Sequence, residues 1–130
     1  MRRLLVVERD SNALHGLVEL LRDEGFQVYG VEKGLEALDV VAMQTFDIAL
    51  CDYSLSDMDG LELCQQLKKR WPEMVLFLLT AYDQSRIIET AREFGVAEIF
   101  TKPIVPEDLF VILFRYSASK TSAMRRPGND

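Results

Sequence analysis

Short apolar segments alternate with longer amphipathic stretches along most of this chain. Segments of four to six residues, rich in aliphatic and aromatic side chains, occupy residues 4–7, 26–31, 46–51, 75–79 and 98–101. Short, nearly continuous apolar segments bounded by polar residues are typical of strands that are buried on both faces of a sheet. The pattern therefore predicts five strands.

A stretch with helical spacing follows each predicted strand. In the first, leucines recur three or four residues apart over residues 14–21, and this spacing predicts a helix with one apolar face. Asp10 or Ser11 suits the start of this helix, and Gly25 suits its end. Four further helices are predicted from residue 34 to about 44, from 61 to just before Pro72, from Asp83 or Ser85 to Gly95, and from Pro106 onward.

Five alternations of strand and helix are typical of an open, doubly wound parallel sheet with helices on both faces. We predict one such domain over residues 1–118. Residues 119–130 are mostly polar and contain Pro127 and Gly128. They are therefore expected to form a flexible tail or the stub of a linker.

The overall composition excludes several classes of protein. The chain has 130 residues, of which 48% are hydrophobic, which is enough for one domain with a single core. Its net charge of −6 argues against direct binding to nucleic acid or to an anionic membrane. Because no apolar run is long enough for a membrane span or a signal peptide, we expect a cytoplasmic protein.

Polar residues with phosphoryl-binding chemistry follow four of the five predicted strands. Ligands of open parallel sheets bind outside the carboxyl ends of the strands. The residues at those ends are Glu8, Arg9 and Asp10, then Asp52, Thr80 and Lys102. Clustered carboxylates favour a cation, whereas a hydroxyl and an ammonium group suit the oxygens of an incoming phosphoryl group.

These residues, in this order, make the chain resemble the receiver domains of response regulators in two-component signalling. The resemblance covers about residues 3–117 and rests on four features: Glu8, Asp52 with Asp59-Gly60, Thr80-Ala81 and Lys102-Pro103. It implies a flavodoxin-like fold, with the strand order 2-1-3-4-5. It also implies a signalling module, not a conventional enzyme.

The resemblance assigns a role to each of these residues. Asp52 would accept a phosphoryl group from a histidine kinase or a phosphotransfer protein. Thr80 would bind a phosphoryl oxygen and move on activation, and Lys102, which precedes a cis peptide bond, would pair with the phosphoryl group. Mg²⁺ would be held by the acids after the first strand, by Asp52 and by the backbone carbonyl of Ser54. The signal would leave through the face formed by helix 4, strand 5 and helix 5.

Arg9 departs from the receiver pattern, in which a second acid occupies this position as a direct ligand of Mg²⁺. Two carboxylates, Glu8 and Asp52, and one guanidinium carry a net charge of −1, the same as three carboxylates and one divalent metal. We therefore expect Mg²⁺ to bind weakly or not at all, and Arg9 or Lys102 to pair with Asp52. Ile99 also replaces the usual aromatic switch residue, so that coupling of Thr80 to a rotating ring is not expected.

The last predicted helix carries more apolar residues than one buried face requires. Four of them follow helical spacing and are expected to face the sheet: Leu109, Ile112, Leu113 and Tyr116. Phe110, Val111 and Phe114 then lie on another face, where they would be exposed. Grouped exposed apolar residues indicate a protein interface, and we expect a homodimer or partner docking here.

Three alternative functions have different sequence requirements, and the sequence disfavours the second and the third. A pseudo-receiver would bind a partner constitutively, without phosphorylation, because Arg9 replaces a metal-binding acid. An aspartate-nucleophile phosphohydrolase would need a second carboxylate two residues after Asp52, where Ser54 stands. An electron carrier of the flavodoxin type would need a phosphate-binding loop rich in glycine and hydroxyl groups after the first strand, and the acids and arginine there are the opposite.

Overall fold

The computed structural model of the chain describes residues 2–81 and 84–125. Its strands are β1 (Arg3–Val7), β2 (Gln27–Val31), β3 (Ile48–Asp52), β4 (Val75–Thr80) and β5 (Val96–Thr101). Its helices are α1 (Ser11–Asp23), α2 (Gly34–Val41), α3 (Gly60–Arg70), α4 (Ile88–Glu93) and α5 (Pro106–Arg125). Every predicted strand and helix is present, and most boundaries agree within a few residues.

The five strands form one parallel sheet in the order β2-β1-β3-β4-β5. The predicted doubly wound fold and its strand order are thereby confirmed. The order reverses between β1 and β3, which lie side by side. At this reversal the connections leave the sheet in opposite directions, so that a crevice opens at the carboxyl ends of the two strands.

The central strands are apolar because they are covered on both faces. Leu4 and Val6 belong to a core cluster with residues of α1 and α5. Leu5 and Val7, which alternate with them along β1, belong to a second cluster with residues of α2, α3 and α4. Successive side chains of a strand point to opposite faces, and an unbroken apolar run therefore supplies both clusters.

The first helix begins and ends where the sequence predicts. The Asp10 side chain accepts hydrogen bonds from the backbone N–H groups of Asn12 and Ala13, at 2.9 and 3.0 Å. Gly25, just beyond the helix, has a φ of 97°, a conformation that favours glycine. Asp10 is thus occupied as a helix cap.

The fourth helix is shorter than predicted. The sequence predicts one helix from residue 83 or 85 to Gly95, whereas the structure has a 3₁₀ turn over Gln84–Arg86 and then the six residues of α4. Ile87 separates the two with φ −120° and ψ −6° and caps α4 without a side-chain hydrogen bond. Its side chain is buried in the core, and this burial takes precedence over a continuous helix.

The last helix extends further than predicted. The structure continues α5 to Arg125, beyond the expected domain boundary at residue 118. Residues 126–130 lie outside the described residues, and the flexible tail stays a prediction. No helix in the described part of the chain is long and apolar enough to span a membrane.

Candidate functional site

Four strand ends bring polar side chains to one edge of the sheet. Glu8 directly follows β1, Asp52 ends β3, Thr80 ends β4 and Lys102 directly follows β5. Glu8, Asp52 and Thr80 are buried, and among the side chains described in residues 2–81 and 85–117 they are the buried polar or charged ones. Burial of such groups is costly unless they are paired, so their partners define the chemistry of the site.

Lys102 joins the two buried carboxylates. Its ammonium nitrogen lies 2.8 Å from Glu8 Oε1 and 3.1 Å from Asp52 Oδ2. The prediction that Arg9 or Lys102 pairs with Asp52 is therefore confirmed for Lys102. The peptide bond between Lys102 and Pro103 is cis, as the resemblance implied.

Backbone N–H groups bind the remaining carboxylate oxygens. Asp10 donates to Glu8 Oε2 at 2.9 Å, and Ser54 donates to Asp52 Oδ1 at 3.3 Å. The N–H of Arg9 makes a longer contact of 3.5 Å with Asp52 Oδ2. All four carboxylate oxygens of Glu8 and Asp52 thus have a donor, and this fixes the orientation of both side chains.

The local environment raises the pKa of Glu8 and of Lys102. Burial is the main reason for Glu8, and the Asp52 carboxylate adds to it, while hydrogen bonds from Lys102 and the Asp10 N–H act in the opposite direction. Burial alone would lower the pKa of Lys102, but the hydrogen bonds and negative charges of Glu8 and Asp52 outweigh it. Lys102 therefore remains a cation at neutral pH.

Arg9 does not form the side-chain pair that we expected. Its side chain is exposed, and in the described part of the chain its guanidinium makes no ion pair with Glu8 or Asp52. The predicted pairing of the Arg9 side chain with Asp52 is therefore wrong. Arg9 lines the cavity beside Asp52, but it contacts the carboxylate only through its backbone N–H, because Lys102 already supplies the cation that both acids need.

The loop after Asp52 holds the acceptor in place through Gly60. The Gly60 N–H donates to the Tyr53 carbonyl at 2.7 Å, and Ser54 and Asp59 form an antiparallel bridge. A Cβ atom on Gly60 would lie 2.2 Å from the Asp52 carbonyl oxygen. Glycine is thus required at position 60 by a close backbone approach, whereas the Asp59 side chain caps α3 by accepting a hydrogen bond from the Leu61 N–H.

Asp57 has a structural role that sequence reasoning missed. Its two carboxylate oxygens each accept a hydrogen bond of 2.9 Å, from the N–H groups of Gly34 and Leu35 at the start of α2. Lys33, at the cap position of that helix, has no side-chain oxygen to serve as an acceptor. This missing cap was the one available signal, but it could not identify an acceptor more than 20 residues away.

The site opens to solvent through a small polar cavity. Its volume is about 230 Å³, and it is lined by Glu8, Arg9, Asp10, Asp52, Tyr53, Ser54, Ala81 and Lys102. A larger cleft of about 570 Å³ at the open edge of β2 is lined by apolar residues and three acids, without a cation. The smaller cavity places the Lys102 ammonium group beside two buried carboxylates at the carboxyl ends of the strands, so it is the better candidate for an anionic reactant.

The outward face of α5 is less apolar than predicted. Leu109 and Leu113 are fully buried, and Ile112 and Tyr116 are partly buried against the same core, which confirms the predicted inward face. Phe110 is also partly buried against this core, so its expected exposure is wrong; how α5 lies on the sheet lets this side chain reach the core as well. Val111 and Phe114 remain exposed, at 57% and 46%.

The two cysteines are buried and free, and they are not part of the site. A hydrogen bond with Cys64 and complete burial raise the pKa of the Cys51 thiol well above its ordinary value. A thiol in this state is a poor nucleophile and a poor metal ligand. Both cysteines therefore act as small core residues.

The family model of the response regulator receiver domain matches residues 4–114. The chain belongs to this family. It is 27% identical to the sporulation initiation phosphotransferase F of Bacillus subtilis over 120 residues, which cover 92% of the chain and 97% of that protein. It is also 32% identical to a cyclic di-GMP phosphodiesterase of Thermotoga maritima over 101 residues, which cover 78% of the chain and 27% of the relative.

A solved receiver domain has the same fold. The CheY-like response regulator receiver domain protein from Methanospirillum hungatei superimposes with a TM-score of 0.87 at 27% identity, covering 94% of this chain and 98% of its own. Receiver domains are signalling modules of two-component systems and are generally not enzymes, and phosphorylation by a kinase is generally expected of them. The chain spans about a quarter of the phosphodiesterase relative, which contains a good deal beyond the shared domain.

The residues around Asp52 are a poor fit to Mg²⁺, which receiver domains typically bind at their acidic pocket. The pocket offers two carboxylates and the Ser54 carbonyl, and all carboxylate oxygens already accept hydrogen bonds. Asp10, the nearest substitute acid, caps α1. Residues 2–81 and 84–125 contain no group of three acids, histidines or cysteines that could hold a metal.

Proposed function

We propose that this receiver domain accepts a phosphoryl group on Asp52 from a histidine kinase or a phosphotransfer protein. The observation that carries the proposal is the Lys102 ammonium group, 3.1 Å from Asp52 Oδ2 at the opening of the polar cavity. An incoming phosphoryl group would meet a fixed nucleophile and a fixed positive charge together. Such preorganised charge is a major contribution to phosphoryl transfer.

In the proposed reaction, an Asp52 oxygen attacks the phosphorus atom of the donor. The bond from phosphorus to the donor nitrogen breaks, and the released histidine ring takes up a proton from solvent. Lys102 balances charge that develops on the phosphoryl oxygens. Thr80, at the end of the neighbouring strand, would donate a hydrogen bond from its hydroxyl group to one of these oxygens. The phosphorylated state would then be transmitted to partners through the face formed by α4, β5 and α5.

Incubation with acetyl phosphate, followed by intact mass measurement and peptide mapping, tests the assignment. The wild type is expected to gain one phosphoryl group at Asp52, and Asp52→Asn is expected to gain none. Asp57→Asn is the matched control, because Asp57 lies in the same loop and is exposed, yet only caps α2. Labelling of Asp52→Asn at the wild-type rate would contradict the proposal.

A pseudo-receiver is the second candidate function, and Arg9 and Ile99 are the observations that favour it. Arg9 removes a metal-binding acid, and Ile99 places an aliphatic side chain where the family usually has a rotating ring. In that case the wild type stays unlabelled while a partner still binds. A homodimer through α5, the absence of nucleic-acid binding and a cytoplasmic location remain predictions.

A further inference from the structure

We propose that Arg9 binds the phosphoryl group on its way to Asp52 and that this domain is therefore phosphorylated without Mg²⁺. This inference rests on the proposed function, because it assumes that Asp52 is the acceptor. It adds a positioning cation, supplied by the chain itself, at the position where the family pattern has a metal-binding acid. Arg9 and Lys102 would then contact the phosphoryl group from two sides.

The position of Arg9 supports this role. Its backbone N–H contacts Asp52 Oδ2 at 3.5 Å, which places the start of the side chain at the acceptor. Arg9 also lines the cavity that opens onto Asp52 and Lys102. Because its exposed guanidinium makes no ion pair in the described part of the chain, it is available for a ligand.

The charge of the pocket explains why a second cation is needed. Glu8, Asp52 and Lys102 together carry −1 when all are ionised, since two carboxylates face one ammonium group. An approaching phosphoryl dianion would be repelled by this charge. With Arg9 included, the four side chains sum to zero. A guanidinium also offers a planar pair of N–H donors that matches two phosphoryl oxygens.

The carboxylate oxygens that a metal would need already accept hydrogen bonds. Lys102 binds one oxygen of each acid, and the N–H groups of Asp10 and Ser54 bind the other two. An octahedral Mg²⁺ ion would compete with the Lys102 ammonium group for these oxygens and would lie close to a guanidinium. An arginine supplied by the chain avoids both costs, although, unlike a metal ion, it does not take Asp52 and the phosphoryl group as ligands of one centre.

The reaction with acetyl phosphate needs no additional reactant. An Asp52 oxygen forms a bond to phosphorus while the bond from phosphorus to the acetyl oxygen breaks, and acetate leaves with the electron pair. No proton is required for this leaving group. Arg9 and Lys102 only hold the three outer phosphoryl oxygens during the transfer.

The test compares labelling of Asp52 by acetyl phosphate in excess EDTA and in millimolar Mg²⁺. We expect the wild type to react at similar rates, within about twofold, in the two buffers. Arg9→Ala and Arg9→Gln should lose about tenfold or more of the rate in EDTA, as expected for loss of a charge-assisted contact. Arg9→Asp should react only with Mg²⁺. Arg92→Ala is the control, because Arg92 is an exposed arginine on α4.

The outcomes separate this inference from the proposed function. Equal labelling of wild type and Arg9→Gln in EDTA would overturn the role of Arg9, as would labelling of the wild type only with Mg²⁺. If Arg9→Asp is labelled with Mg²⁺ while the wild type is not labelled at all, Asp52 is an acceptor and Arg9 blocks it. If no variant is labelled in either buffer, the proposed function itself fails.

Discussion

Gly60 illustrates how a single residue positions the phosphoacceptor candidate. The absence of a side chain allows its backbone to approach the Asp52 carbonyl, to which any Cβ would lie at 2.2 Å. Neither neighbour can yield cheaply, because the clashing atoms of Asp52 and Tyr53 belong to the backbone. Gly16, by contrast, lies within α1, and a Cβ atom there would have open space within 4 Å.

We expect Gly60→Ala to lower the free energy of unfolding by about 1–3 kcal/mol, as overpacking usually does. It should also slow phosphoryl labelling of Asp52, because the backbone carbonyl of Asp52 must shift to make room for the added methyl group. Gly16→Ala is the control and should raise stability by about 0.5–1 kcal/mol, since alanine is a better helix former. Urea unfolding of both variants measures these changes. If Gly60→Ala had the same stability and the same labelling rate as the wild type, the loop would be able to accommodate the added methyl group freely.

Asp57 is expected to stabilise the fold in a pH-dependent manner. Burial slightly opposes ionisation, but hydrogen bonds from Leu35 and Gly34 outweigh it and lower the pKa below its ordinary value of 3.8. A lowered pKa in the folded state means that the stabilisation is present above pH 3.8 and is lost as the pH falls through the folded value.

Asp57→Ala should therefore lower stability by about 1 kcal/mol at pH 7, which is typical for loss of a helix cap. The difference from wild type should shrink as the pH falls below 3.8. Asp57→Asn keeps one oxygen acceptor and should show a smaller loss without this pH dependence. Urea unfolding at several pH values measures both variants, and a constant difference down to pH 3 would contradict the assigned role.

At the scale of elements, α5 has one buried face and one pair of exposed apolar positions. Leu109 and Leu113 are fully buried, whereas Val111 and Phe114 are about half exposed. Phe114 still stacks on Phe26, with ring centroids 5.4 Å apart, so part of its surface is used within the domain. Val111 is therefore the cleaner probe of an interface on this helix.

If α5 mediates self-association, Val111→Asp should convert the protein to a monomer with little loss of stability. Burying a charged side chain in an apolar contact is unfavourable unless it is paired. Met43→Asp is the control, because Met43 is 85% exposed and lies just beyond the end of a different helix, α2. Sedimentation velocity over a concentration series measures the association. A wild type that remains monomeric at the highest concentration would exclude self-association.

At the scale of the whole molecule, Lys102 connects the ends of three strands. It follows β5 and binds Glu8 after β1 and Asp52 at the end of β3. Its raised pKa gives stability that is present below its ordinary value of 10.5 and is lost as the pH rises through the folded value. Glu8 sets the lower pH limit of this stabilisation. Its pKa is raised above the ordinary value of 4.5, and once the carboxyl group is protonated it no longer attracts Lys102 as an anion.

Lys102→Met should lower stability by about 2 kcal/mol at pH 7, less than for a fully buried pair because Lys102 is partly exposed. The loss should be largest between the raised pKa of Glu8 and the raised pKa of Lys102, and smaller outside that window. Lys69→Met, at an exposed position on α3, is the control and should change little. Thermal unfolding from pH 4 to pH 11 provides the comparison. Wild-type stability for Lys102→Met at pH 7 would show that the two acids need no cation.

Much of the fold follows from local patterns. Residues 4–7 and 75–79 are apolar without interruption, which only strands covered on both sides require, and they form β1 and β4. The split of the predicted fourth helix at Ile87 could not be predicted, because it depends on burial of one side chain against another element. The same holds for Phe110, whose contact with the core depends on how α5 lies on the sheet.

The sequence by itself determined which groups meet at the site, because the carboxyl ends of parallel strands share one edge and Glu8, Asp52, Thr80 and Lys102 follow those strands. Only the tertiary structure decided how they pair. Lys102, not the Arg9 side chain, reaches both acids, and Asp57 caps a helix that precedes it in the chain. The physical reason is the separation of the interacting residues along the chain. Strand ends follow from the local hydrophobic pattern, whereas pairing depends on side-chain directions and on the approach of segments that are distant in the sequence.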